Sequence, residues 1–451
     1  MNVPDLSGTR VTVIGAARSG VGVARLLQKF HARVFVSDNG AEPALGPYLD
    51  ELKKTQIPFE VGGHSLRVFD ASLVVVSPGV PSNAPVVTEA RTRGLRVVSE
   101  LEVASWYCKA PVVAITGSNG KTTTTTLTGR ILGDAKKKHA VAGNIGTAFS
   151  SVVLDMAETD LAVLEVSSFQ LDHIESFRPH VAVLLNITPD HMDRYDHSME
   201  RYAASKARVF MNQTRDDILI YDVDDPWTSR TVDAAKSKRI GFSASKHLNE
   251  GAFVENDVLT TVLNGQKSSV IATREISIRG THNLYNAMAA TLVGQIEGVG
   301  PASIRATLRN FRGVEHRLEF VRELDGVRYY NDSKATNVDS VWYALQAFAE
   351  PVVLLLGGRD KGNDYRRLLD PVRSKVRTIV AIGESAEKVD HAFAGIVPVV
   401  RAGSMDDAVS KARSIARPGD LVLLSPACAS FDWFKNYEQR GFVFKQLVNN
   451  L

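Results

Sequence analysis

The sequence is poor in cysteine, in long apolar runs and in net charge, and each shortage closes off a class of protein. Only Cys108 and Cys428 occur among 451 residues, too few and too far apart for a disulfide framework or a zinc knuckle. No apolar run approaches the roughly 18 residues needed to cross a bilayer. The first ten residues lead straight toward a strand and lack the apolar core of a secretory leader, so a cytoplasmic location is expected. The 53 basic and 50 acidic residues leave a formal charge of +3 spread along the chain. That pattern speaks against both a nucleic-acid stripe and a polybasic membrane anchor. What remains is ordinary: 44% apolar and 23% charged residues, in a chain long enough for roughly three domains.

Short β-branched runs alternate with helical patterns almost throughout. RVTVIG (Arg10 to Gly15), ARVFVSD (Ala32 to Asp38) and LVVVSPG (Leu73 to Gly79) are continuous apolar strands of the kind buried on both faces. PVVAITGSNGKTT, LAVLEVSS and VAVLLNITPDH form a second set, and VRYYNDS, PVVLLLGG, RTIVAIGE and DLVLLSPA a third. Residues 253–278 instead alternate apolar and polar side chains around Asn264-Gly265, which predicts antiparallel strands. The fold class expected is α/β with parallel sheets. Three domains are expected at 1–99, 100–312 and 313–451, the joints falling near Ser99 and Gly313.

The strongest single signal is AITGSNGKTTT, residues 114–124. A buried strand runs into a Gly-rich turn and then a helix starting around Lys121. Backbone N–H groups of such a loop, with the helix N-terminus, favour an anion. Gly117 and Gly120 permit close approach, Lys121 can reach β- and γ-phosphates, and the Thr122 hydroxyl can ligate Mg²⁺. A Gly-rich turn without a ligand is the bland alternative. The N-terminal turn GAARSG (Gly15 to Gly20) keeps the outer glycines of a dinucleotide fingerprint but carries Ala17 in the middle. Asp38 ends the next strand, where an acidic residue often holds a ribose. Ala17 would crowd a pyrophosphate held close to the backbone, so a nucleotide held less tightly there, such as a UDP group, suits this turn better than NAD.

Other candidates are weaker one by one. Glu165 lies just inside the end of its strand, Asp190 and His191 follow another, and a helix presents Lys206. A lone histidine is more often core or surface than ligand, a helical lysine more often solvated, and Mg²⁺ prefers oxygen. Asn283 and Asn286 open a helix, where they could read an adenine edge or cap the backbone. His316, Arg317, Asp332, Lys334, Thr336 and Asn337 cluster in two loops. Converging cations there would stabilise phosphoryl transfer, unless they are solvated loop charges.

With GSNGKTT, EVSSFQ, NITPDHMDRY, the Lys206 helix, GTHNLYN, EHRLE and NDSKATN in this order, the chain resembles the Mur ligase family over nearly all its length. LLSPACASFDWFKNYEQRG (Leu423 to Gly441) and GGRDKG (Gly357 to Gly362) resemble its D-glutamate-adding branch. The resemblance implies a Rossmann-like first domain for the UDP end of the substrate, a central ATP-binding domain and a Rossmann-like last domain for the amino acid. It implies an ATP-dependent ligase joining D-glutamate to UDP-N-acetylmuramoyl-L-alanine through an acyl phosphate, with two Mg²⁺ ions, acting as a monomer without nucleic acid or membrane.

Site residues follow from the same resemblance. Gly117, Ser118, Asn119, Gly120, Lys121, Thr122, Thr123, Asn283, Asn286, Arg317 and Asp332 would bind ATP. Lys121, His191, Lys206, Arg317 and Lys334 would be catalytic. Thr122, Glu165, His191 and Lys206 would hold metal, Lys206 as a CO₂-derived carbamate. That change turns a cation of pKa ~10.4 into an anionic oxygen ligand. Ser19, Asp38, Asn39, Ser77, Gly79, Asn144, Ser167 and Gln170 would bind the UDP-substrate, and Thr336, Lys361, Ser430 and Phe431 D-glutamate. Competing readings are a related ligase with another amino acid or a folate, a P-loop switch protein, and a dehydrogenase. The last leaves GSNGKTT idle, and the switch leaves the Lys334 and Lys361 loops unexplained.

Overall fold

The computed structural model describes residues 4–190, 192–360 and 362–451; His191 and Lys361 lie outside the described residues. The chain divides into two compact units, Met1–Glu275 with Tyr285–Arg309, and Ile276–Leu284 with Asn310–Leu451. Among the described residues no helix is long and apolar enough to cross a membrane.

The first unit holds two sheets. Strands β1 (Arg10–Ile14), β2 (Arg33–Asp38), β3 (Phe59–Val61), β4 (Leu73–Val76) and β5 (Arg96–Ser99) form an all-parallel sheet in the order β3-β2-β1-β4-β5. The order in which strands are added reverses between β1 and β4, so the crevice beyond their C-terminal ends is the place such sheets bind ligands. The helix Arg18–Lys29 starts at that edge, and a Cβ on Gly20 would strike the carbonyl oxygen of Gly15, so helix and strand meet at glycine-only distance.

The central sheet comprises β6 (Val112–Thr116), β7 (His139–Gly143), β8 (Leu161–Glu165), β9 (Val181–Leu184), β10 (Ile218–Asp222), β11 (Lys238–Ser243), β12 (Gly251–Glu255), β13 (Val258–Leu263) and β14 (Gln266–Ala272). Its order is β14-β13-β12-β11-β10-β9-β6-β8-β7, and the order in which strands are added reverses between the parallel neighbours β6 and β9. Strands β6, β8 and β9 are buried along their whole length, which is why they read as unbroken apolar runs. The antiparallel hairpin of β13 and β14 turns at Asn264 and Gly265, both with positive φ (50° and 76°). That is the geometry Asn-Gly favours.

The two sheets share one apolar core. It runs from Val11, Val13 and Leu27 through Leu101, Val103 and Trp106 to Val112, Leu164 and Leu184. The helix Glu100–Trp106 between the sheets is buried at every residue. The Glu102 carboxylate in it accepts from Trp106 Nε1 at 2.8 Å and from the backbone N–H groups of Glu175, Ser176 and Phe177 at 2.8–3.0 Å. Those bonds satisfy a buried charge that would otherwise cost several kcal/mol.

The second unit carries β15 (Glu319–Leu324), β16 (Val327–Asn331), β17 (Val352–Gly357), β18 (Val376–Ile382), β19 (Val399–Arg401) and β20 (Leu421–Leu424). The order is β15-β16-β20-β17-β18-β19, parallel except for the β15–β16 hairpin. Apolar layers cover both faces, with Leu354, Leu356 and Phe393 on one and Leu355, Val409 and Phe444 on the other.

Candidate active site

The β6 strand ends at Thr116, and the loop that follows is closed by its glycines. Gly117 has φ 153°, and a Cβ there would lie 2.9 Å from Leu185 Cβ. Gly120 has φ 86°, and a Cβ there would collide with Asn286 Oδ1. Gly120 also stands at the N-cap of the helix Lys121–Asp134, whose first N–H groups therefore face the loop. An anion at that position meets the positive end of the helix dipole.

The loop is clasped from the segment after β9. Ser118 N donates to Asn186 O at 2.8 Å, Asn119 N to Asn186 Oδ1 at 2.8 Å, and Asn186 Nδ2 returns a bond to Asn119 O at 3.0 Å. Ser118 Oγ donates to Thr188 O at 2.8 Å, accepts from Thr188 N at 2.9 Å and lies 3.1 Å from Tyr202 OH. Asn186, Thr188 and Tyr202 were not singled out from the sequence. The only signal was that NIT directly follows the buried strand VAVLL. Thr124 Oγ1 donates to Asn286 Oδ1 at 3.1 Å, so Asn286 braces the phosphate-loop helix.

Two lysines converge on one carbonyl. Lys121 Nζ donates to the carbonyls of Gly117 and Ser118, each at 2.8 Å, and Lys206 Nζ donates to Gly117 O at 2.8 Å. Lys206 is 1% exposed, over the face of Tyr202. Burial drives its pKa well below the ordinary lysine value, Lys121 adds to the fall, and Asp190 and Asp172 oppose it.

At the same sheet edge, Glu165 ends β8 in register with Ile115 of β6. Its Oε1 accepts from Asn144 Nδ2 at 3.2 Å, and its Oε2 is buried with no partner among the described residues. An unfilled carboxylate oxygen at the edge that carries the buried Thr122 is a hard-oxygen donor set, which fits Mg²⁺. Ser167 and Gln170 form a capping box on the short helix Ser168–Leu171, with Ser167 N donating to Gln170 Oε1 at 3.0 Å. Gln170 Nε2 is left buried and unpaired among the described residues.

A cleft of about 620 Å³ opens at the switch point of the first sheet, lined by Gly15, Asp38, Asn39, His64, Phe69, Gly79, Val80 and Pro81 among others. Asp38 Oδ2 accepts from Ala16 N and its Oδ1 from Gly40 N, each at 2.6 Å, so this carboxylate fastens the turns on either side of the cleft. Ser77 Oγ donates to Gly15 O at 3.1 Å and closes the turn from β4. Ser19 lies in the first turn of the helix Arg18–Lys29, and Asn39 is exposed. Beyond the cleft, Ser82 Oγ, 3.0 Å from His173 Nε2, donates to Asp172 Oδ2 at 3.3 Å. Asp172 in turn accepts from Tyr195 OH and Ser205 Oγ, next door to Lys206.

The second unit gathers the remaining candidates. Asp332 is buried, accepting from Ser425 Oγ at 2.8 Å and Leu318 N at 3.2 Å. Burial pushes its pKa up to about 6 against the pull of Arg317 and these bonds. Arg317 Nε is buried without a partner among the described residues. Lys334 Nζ stands over the Tyr437 ring at 5.5 Å, and Thr336 N donates to the Lys334 carbonyl. Arg440, 1% exposed, donates to the Ser333 and Cys428 carbonyls and so ties the Lys334 loop to the one bearing Ser430 and Phe431. Ser430 is buried and Phe431 exposed. Asn283 Nδ2 donates to Arg279 O at 2.7 Å.

Comparison with known proteins meets this geometry. Three family models match in succession, described as the Mur ligase MurD-like N-terminal domain (residues 9–99), the Mur ligase middle domain (115–294) and the Mur ligase glutamate ligase domain (316–428). The chain is 46% identical to the UDP-N-acetylmuramoylalanine--D-glutamate ligase of Salinibacter ruber, over 100% of both chains. It is 45% identical to the protein of that name from Chloroherpeton thalassium, again over 100% of both. Among solved structures, a pseudomurein peptide ligase type C from Methanothermus fervidus superposes with a TM-score of 0.62 at 18% identity, covering 98% of this chain and 99% of that one. The UDP-N-acetylmuramate-alanine ligase of Thermotoga maritima gives the same values.

Proposed function

The chain belongs to the Mur ligase family, and from that premise we propose that it joins D-glutamate to UDP-N-acetylmuramoyl-L-alanine at the expense of ATP, in peptidoglycan precursor synthesis. The observation that carries the proposal is the full-length likeness, through all three domains, to ligases bearing that name. The phosphate loop supports it from the chemistry. A strand-glycine-helix cradle with an invading lysine is built for a triphosphate.

The reaction runs in two steps. The L-alanyl carboxylate attacks the γ-phosphate, giving an acyl phosphate and ADP. The amine of D-glutamate then attacks the acyl carbon, and phosphate leaves from a tetrahedral intermediate. In the first step Lys121, Arg317 and Lys334 neutralise charge spreading over the phosphoryl oxygens. The N–H groups of Gly120 to Thr123 hold the phosphates, those of Ser118 and Asn119 being taken by Asn186, while Asn283, Asn286 and Asp332 serve the nucleoside. Thr122 and Glu165 would hold one Mg²⁺, and His191 with a carbamylated Lys206 a second. Such ions supply Lewis-acid polarisation of phosphoryl and carboxyl oxygens. Burial that disfavours the ammonium of Lys206 leaves a free amine, the form that takes up CO₂.

Ser19, Asp38, Asn39, Ser77, Gly79, Asn144, Ser167 and Gln170 are the side proposed for the UDP-sugar-peptide. Asp38 and Ser77 act there by fixing the turns, as their bonds to Ala16, Gly40 and Gly15 indicate. Thr336, Lys361, Ser430 and Phe431 are proposed for D-glutamate, with Lys361 pairing a carboxylate. Selection follows, because an apolar amino acid would leave that charge unpaired. The enzyme is proposed to act as a cytoplasmic monomer.

The test is phosphate release from ATP and Mg²⁺ with UDP-N-acetylmuramoyl-L-alanine and a panel of amino acids. Turnover with D-glutamate alone is expected. Turnover with a different amino acid would keep the chemistry and discard the roles given to Lys361, Ser430 and Phe431. No turnover with any would overturn the proposal.

A further inference from the structure

The first-domain cleft contains a histidine that no motif reading used. His64 lines the cleft beside Asp38, Asn39 and Phe69. Its Nδ1 lies 2.7 Å from Ser37 Oγ, and the same hydroxyl lies 2.7 Å from Glu60 Oε1. Ser37 and Glu60 face each other as register partners on β2 and β3, and Ser37 is fully buried. The three groups form a fixed chain rather than a chance contact. Among the described residues no hydrogen-bond partner is recorded for His64 Nε2.

The direction of the chain follows from counting protons. A hydroxyl has one hydrogen to give. Glu60 also accepts from Ser65 N at 2.9 Å. Burial works against its ionisation, but hydrogen bonds from Ser65 and Ser37 prevail and hold its pKa below the ordinary carboxylate value. A carboxylate only accepts, so Ser37 must give its hydrogen to Glu60. The bond to His64 then needs its hydrogen from Nδ1. Burial lowers the His64 pKa, with Asp38 and Glu60 only partly offsetting it, so the ring is neutral near pH 7. A neutral ring with its hydrogen on Nδ1 has a bare lone pair on Nε2.

We propose that His64 Nε2 is the acceptor that reads the pyrimidine of the nucleotide substrate, taking a hydrogen bond from the N3–H of uracil. The inference rests on the reading of this cleft as the UDP site and adds to it the residue that chooses the base. The walls suit a flat, uncharged ring, since Phe69, Val80, Pro81 and Pro85 are apolar. Uracil carries a hydrogen on N3, whereas cytosine carries a lone pair there. Against His64 the first makes a bond and the second sets two acceptors face to face, leaving both unsatisfied.

The test titrates UDP and CDP into the full-length protein by calorimetry. Wild type is expected to prefer UDP by roughly 10- to 100-fold. His64→Ala is expected to bring the two affinities within about threefold, mainly by weakening UDP. Ser37→Ala frees the ring to exchange tautomers and is expected to give an intermediate ratio. Nitrogen-15 shifts of the His64 ring in wild type should show hydrogen on Nδ1 and none on Nε2. A melting temperature and ATP affinity unchanged from wild type establish that each variant is folded. An undiminished UDP preference in folded His64→Ala, no preference in wild type, or hydrogen on Nε2 would each overturn the inference while leaving the UDP site standing. Failure of UDP to bind wild type at all would overturn both.

Discussion

Lys206 is a lysine in surroundings that reject an ammonium: 1% exposed, with Lys121 donating to the same carbonyl. A carbamate would replace repulsion between two cations by attraction. Lys206→Ala should therefore lower turnover by roughly 100-fold or more, and added formate or acetate should restore part of it by supplying the missing oxygens. Full activity in the variant would sink the carbamate. Gly120 allows a sharper comparison. Alanine there faces both a φ of 86° and a collision with Asn286 Oδ1. Gly94 shares a positive φ (75°) but has open space around it. Both variants should lose about 1–2 kcal/mol of stability from backbone strain, read by denaturant titration. Only Gly120→Ala should weaken ATP binding, by more than tenfold. At this scale the sequence identified the lysine and the glycines but not their partners. Residue type marks Gly120, whereas the Asn186 clasp depends on two loops meeting in space. Asp38 also looked like a free ribose acceptor, and its carboxylate turned out to hold two backbone amides.

Elements were legible where burial on both faces erased any period. Strands β4, β9, β17 and β20 coincide with unbroken apolar runs, and β1, β2, β6, β8 and β18 with largely apolar ones. Their neighbours were harder to read. β3 is three residues long and nowhere fully buried, and β11 opens with two exposed cations, Lys238 and Arg239. His173 is one of the links between elements across the first unit. Its Nδ1 lies 2.9 Å from Arg91 Nη2 and its Nε2 3.0 Å from Ser82 Oγ. Burial first, then Arg91 and Arg208, lower its pKa to about 4. The unfolded chain binds a proton near the ordinary histidine value of 6.5, so unfolding takes up protons between these values. Stability should then fall as pH drops from about 6.5 to about 4, by up to about 3 kcal/mol from this residue, and fall no further below that. His282 in the second unit, lowered to about 4 by burial and Arg317, titrates in the same window. His173→Gln should remove its own share of the slope in urea titrations across pH, and an unchanged slope would refute the assignment.

For the whole molecule, the two units make ligand effects separable. Trp106 and Trp227 lie in the first unit, Trp342 and Trp433 in the second. Variants keeping only one pair report each unit by fluorescence. Saturating ATP with Mg²⁺ at a hundred times its dissociation constant should stabilise the first-unit signal by about 2.7 kcal/mol. Because Asn283, Arg317 and Asp332 of the second unit are also proposed to bind ATP, a shift confined to the first-unit signal would overturn those three assignments. Three sheets of parallel strands were foreseeable from the alternation of runs and helices. The division of the chain at residues 276–284 was not, because its second edge falls inside the continuous helix Thr281–Ile296, where nothing in the pattern marks a change of allegiance.

The buried helix Glu100–Trp106 sets a rule for anyone grafting parts between relatives. The stretch looks like a joint, yet every side chain in it is interior and Glu102 is locked to residues 175–177. A chimera spliced just after that helix, at residue 106, therefore inherits half of a lock from each parent. The front of the molecule is transplantable only together with the helix, the 175–177 turn and the side of the central sheet they seal.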